Sequence, residues 1–98
     1  MEIITTGKTI NLHIFSLIGY DFDKAMISFR FETMTEEMYF GSRQDAMLFY
    51  DDIMVGLMNE YKTLDLSHYK IYHNKVSASS LKEFFQKQKE LYECHENR

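Results

Sequence analysis

The chain has no proline and no tryptophan, one cysteine, four glycines and only three arginines. Each shortage excludes something. Cys94 has no partner for an internal disulfide, so the core must hold the fold, and a lone cysteine suits a reducing compartment. The glycines stand at 7, 19, 41 and 56, too far apart to build a phosphate-cradling loop. No serine sits in a Gly-x-Ser-x-Gly setting. The longest apolar run is a few residues, well short of the roughly 20 that span a bilayer. Met1-Glu2-Ile3-Ile4-Thr5-Thr6 carries no basic region followed by an apolar stretch, so no secretory signal is read. The expected location is cytoplasmic.

What is present is core material. Of 98 residues, 45% are hydrophobic and 15% aromatic, enough to offset the ordering entropy of one folded domain spanning residues 1–98. The net charge of −4 hides an asymmetry. Residues 1–61 carry ten acids and four bases, whereas residues 62–89 carry six lysines against Asp65 and Glu83. Such a split marks either a polyanion-binding face or two halves that attract each other.

Ile10, Leu12 and Ile14 alternate with Asn11, His13 and Phe15, a strand signature that extends across residues 3–18. Within it, Thr6-Gly7-Lys8 turns Ile3-Ile4-Thr5 back on Thr9-Ile10-Asn11, since glycine accepts the positive φ of a tight hairpin; a single bulged strand is the alternative. Gly19 to Lys24 is read as a turn. The clearest alternation follows, with Ala25, Ile27, Phe29, Phe31 and Thr33 on one face of a central strand. Met34-Thr35-Glu36 turns into a short strand at residues 37–40, closing an antiparallel meander.

Ser42 is a candidate helix N-cap, with Asp45 placed where the helix dipole favours an anion. Ala46, Phe49, Tyr50, Ile53, Leu57 and Tyr61 then form an apolar stripe, and the helix is expected to end near Lys62-Thr63. Leu64 to Ser67 reads as a linker, and His68 to His73 as an edge strand. Ser80-Leu81-Lys82-Glu83 is a capping box opening a second helix through Leu91, Tyr92 and His95. The expected fold is α+β: an antiparallel three- to four-stranded sheet with two helices on one face, in the order β-β-β-α-(β)-α.

Chemistry-bearing patterns are weak. Cys94 and His95 are neighbours, which diverge by about 100° on a helix. His68 and His73 fall on opposite faces of an extended segment, and no His or Cys spacing matches a zinc site. Glu36-Glu37 and Asp51-Asp52 read as solvated acids. No catalytic, cofactor-binding or metal-binding residue is assigned, and a non-enzymatic module is expected.

Leu48 and Val55, seven residues apart, draw a second apolar line on the first helix, roughly opposite its core stripe and surrounded by Asp51, Asp52 and Asn59. Burial within the fold is the first expectation for that line. The alternative is a partner surface, either for another protein or for a second copy of the chain. Lys62, Tyr69, Lys70, Tyr72, Lys75, Lys82 and Lys87 offer a rival, a mix of cations and rings suited to single-stranded nucleic acid. Scarce arginine and overall acidity count against it. The functional expectation is therefore a small acidic protein-binding module with no membrane partner. By analogy of type, with no motif match, such chains include phage and mobile-element inhibitors of host nucleic-acid-binding or defence proteins, anti-CRISPR proteins among them.

Overall fold

The computed structural model describes residues 1–13, 16–78 and 85–90. It is an α+β fold in which two small sheets and one long helix share a single core. β1 (Glu2–Thr5) and β2 (Lys8–Asn11) form an antiparallel hairpin with Ile3 opposite Ile10 and Thr5 opposite Lys8. Gly7 takes φ 91° at the turn, so the hairpin reading holds over the bulged strand. Between β2 and the next strand the Ser16 N–H donates to the His13 carbonyl at 2.9 Å.

β3 (Leu17–Asp21) then pairs with β4 (Met26–Arg30), which pairs with β5 (Thr35–Phe40), all antiparallel. This is the expected meander with different bounds. Gly19, Tyr20 and Asp21 belong to a strand because they pair with Ser28, Ile27 and Met26. The turn shrinks to a single 3-10 turn, Phe22–Lys24, closed by the Asp21 carboxylate accepting the Lys24 N–H at 3.3 Å. Ala25 is left-handed there (φ 52°) and so leaves the strand face on which alternation had put it.

The helix α1 (Arg43–Met58) starts as expected, with Ser42 Oγ accepting the Asp45 N–H at 3.1 Å. It ends one turn early. Glu60 adopts φ 56°, and the N–H groups of Glu60 and Tyr61 donate back to the Leu57 and Gly56 carbonyls at 3.2 and 3.0 Å, a Schellman closure with Glu where glycine is usual. Ala46, Phe49, Ile53 and Gly56 are the buried residues of α1. Leu57 and Tyr61, expected in the core, are exposed. Gly56 takes their place against β1 and the strand that follows: a Cβ there would meet Leu64 Cδ2 at 3.2 Å and Met1 Sδ at 3.3 Å.

Thr63, expected at the helix end, and Leu64 and Asp65, expected as linker, form β6 (Thr63–Asp65), which runs parallel to β1 and completes a sheet of order β2-β1-β6. The second sheet has the order β3-β4-β5-β7, with β7 (Ile71–Ser77) antiparallel to β5 at its edge. The edge strand is thus present but begins three residues later than the His68–His73 reading. Ile3, Ile10, Leu12 and Leu66 meet Ile27, Phe29, Met38 and Phe40 with Ala46, Phe49 and Ile53 in one cluster. Each fully buried side chain of the larger kind contributes roughly 1.5–3 kcal/mol. Residues 85–90 are helical; the capping box at residues 80–83 and the other positions expected in the second helix lie outside the described residues, as do Ile14 and Phe15.

Candidate interaction surface

Leu48 and Val55 are 46% and 52% exposed, so nothing within the described fold covers the outer face of α1. The expectation of burial on both sides fails because both sheets gather on the Ala46–Phe49–Ile53–Gly56 side. Met47 and Met58 lie to one side of the Leu48–Val55 line, both exposed; Leu57 is exposed as well, but on the opposite side of the helix. Acids surround the line: Asp45 and Asp51 are exposed, Asp52 is half-buried, and Glu60 lies just past the helix end. From residue 44 to residue 61 there is no lysine or arginine, and the last turn of α1 lacks a basic residue to balance its dipole. The negative potential of the side chains and of the helix C-terminus therefore add.

Two members of the expected patch also hold the fold together. Asn59 Nδ2 donates to the Val55 carbonyl at 2.8 Å and helps close the helix. Asp52 Oδ2 accepts the Tyr69 hydroxyl at 2.6 Å. Burial and the Asp52 hydrogen bond, with the charges of Asp52, Asp45 and Asp51 behind it, push the Tyr69 phenol up to about 12. Three helix acids thus act on one ring, which shows how concentrated the charge on this side is.

That contact takes Tyr69 out of the rival nucleic-acid surface. Its ring packs edge-on against Phe49 at 5.4 Å, inside the fold. Lys62 is exposed beyond the helix end, Lys70 sits 4.6 Å over the Tyr72 ring, and Lys75 lies on β7 opposite Glu37. Lys82 lies outside the described residues. The cations and rings that sequence grouped together are therefore scattered, and no stacking platform forms from them among the described residues.

A feature the sequence reading missed is Glu36. It is 2% exposed and paired with Lys8, whose side chain reaches it from the hairpin. Expected in a turn among solvated acids, Glu36 instead shares the inner face of β5 with Met38 and Phe40, at spacings of two and four. The period-two signal was available, but the acid's identity concealed it. The pair stands beside a cleft of about 360 Å³ lined by Asn11, His13, Phe31 and Met34 among others. Each charge satisfies the other, so the pair pins the hairpin tip to the sheet.

The remaining titratable groups do not converge. Among the described residues no group of three or more His, Cys, Asp or Glu side chains is placed to hold a metal ion. His73 lies against Tyr39 and His68 against Tyr69. Cys94 and His95 lie outside the described residues. No described helix is long and apolar enough to cross a membrane. No protein-family model matches the chain, and comparisons with curated proteins and with solved structures give no match.

Proposed function

We propose that the chain is a non-enzymatic, cytoplasmic protein-binding module whose working surface is the outer face of α1. The observation that carries this reading is the exposure of Leu48 and Val55 on a helix that has no base from residue 44 to residue 61. An apolar centre with an acidic surround suits a basic surface on another protein. Apolar contact supplies affinity there, while charge supplies on-rate and partner choice. Basic grooves of that kind are the ones that otherwise hold nucleic acid. The narrower form of the proposal is thus an inhibitor of a nucleic-acid-binding or defence protein, such as a phage or mobile-element chain would supply, acting by occupying the groove.

Competition tests it. Immobilised protein retains its partner from the source cells at low salt, and a short DNA or RNA duplex added in excess releases that partner. Retention that ignores both salt and duplex contradicts a groove-directed acidic surface.

A further inference from the structure

Among the described residues β7 is the open edge of the larger sheet, and its residues from Tyr72 to Val76 are exposed in unbroken succession. The direction of its backbone groups follows from the neighbouring ladder. The Phe40 N–H donates to the Ala25 carbonyl and the Phe31 N–H to the Met34 carbonyl, both at 2.8 Å. Even-numbered residues of β5 therefore turn their backbone groups to β4, and odd-numbered ones to β7. By antiparallel alternation His73, Lys75 and Ser77 bond β5, opposite Tyr39, Glu37 and Thr35. Asn74 and Val76 then direct both N–H and C=O away from the sheet, toward the open edge. Proline is absent from the strand, and Lys75 is its only charged residue, so the usual guards of an edge are thin.

We infer that this edge pairs with the same edge of a second copy, antiparallel across a two-fold axis centred on Val76, joining two four-stranded sheets into one. The register follows from the side chains. A centre at Lys75 sets two ammonium groups directly opposite each other. A centre at Asn74 sets His73 against Lys75 of the second copy and runs into the irregularity at Tyr72, where the register against β5 slips and the ring folds over Gly41. A centre at Val76 sets valine against valine, Lys75 against Ser77, and Asn74 against the small Ala78. A β-branched pair such as valine on valine stabilises an antiparallel ladder, and in this register no like charges meet. An isologous contact of this type closes at two copies and leaves no free β7 edge to propagate. Each dimer then carries two acidic α1 faces, so the inference extends the proposed function and stands without it.

Sedimentation velocity over a dilution series tests the pairing. The wild-type chain dissociates from dimer to monomer on dilution, and the Asn74 and Val76 amides exchange hydrogen more slowly at high concentration than at low. Val76→Lys weakens the dimer about tenfold or more by setting two ammonium groups opposite each other. Asn74→Pro removes an edge N–H, keeps the backbone ladder to β5 while losing the 3.5 Å Asn74 side-chain bond to the Glu37 carbonyl, and has the same effect. Asn74→Ala, which loses only that side-chain bond, and Val76→Ile keep the dimer. Leu48→Asp with Val55→Asp leaves the dimer intact. A wild-type chain that is monomeric throughout overturns the inference. So does a dimer indifferent to Val76→Lys, or one that the α1 substitutions dissolve.

Discussion

The Tyr69 hydroxyl donates to Asp52 Oδ2 across 2.6 Å, joining one residue from each of the two surfaces that the sequence offers as rivals. The bond ties the segment after β6 to the middle of α1. It also removes the ring from any stacking surface and engages one oxygen of one helix acid. The acidic face of α1 stays intact around it, while the basic aromatic set loses its central ring.

That bond gives a pH prediction. The folded-state phenol titrates at about 12 against an ordinary 10, so the folded chain holds this proton more tightly than the unfolded one. The stability it contributes is undiminished below pH 10 and is lost as pH rises from 10 toward 12. Tyr39 is also held above the ordinary phenol value, by burial and by Glu37, so phenolate absorbance should show more than one tyrosine titrating late, and Tyr69→Phe should remove the step near 12. Tyr69→Phe should also cost about 1 kcal/mol in denaturant unfolding at neutral pH, because half-buried Asp52 regains water in exchange.

The Lys8–Glu36 pair makes a second prediction. Lys8→Met leaves a carboxylate buried without its partner and should cost about 3 kcal/mol; the 37% exposure of the lysine side chain keeps the loss at the lower end of the range for broken buried pairs. Adding Glu36→Leu to Lys8→Met should restore most of that stability, since two apolar side chains then replace two desolvated charges. Urea unfolding of the two variants measures the sign.

Glu60 gives a third. Its left-handed backbone, φ 56°, closes α1 at a position where glycine carries no Cβ penalty. Glu60→Gly should stabilise the chain by about 1 kcal/mol, read as a raised denaturation midpoint with an unchanged slope.

These residues also show how far the sequence could be read. Ser42 and Gly7 announce their structures because a hydroxyl before a helix and a glycine in a tight turn have few other uses. Both fall where expected. Glu60 conceals the end of α1 because nothing in a glutamate marks a left-handed residue, so the apolar spacing runs on to Leu57 and Tyr61 although the helix has closed. β6 is hidden for a different reason. Three residues show no period, and their strand state comes only from pairing parallel to β1. His68 to Lys70 has strand propensity, yet Tyr69 leaves the edge to reach Phe49 and Asp52, which delays β7 to Ile71. Within the candidate surface, spacing alone placed Leu48 and Val55 on one line. Whether the fold covered that line depended on the position of two sheets, which local sequence does not encode.

The measurement that bears most directly on the central claim is a paired one on Leu48→Asp with Val55→Asp, comparing denaturant unfolding with retention of the partner from source cells. A working surface predicts stability within about 1 kcal/mol of wild type, the usual range for exposed positions, together with loss of the partner. A cooperative, equally stable double variant that still retains the partner contradicts the claim.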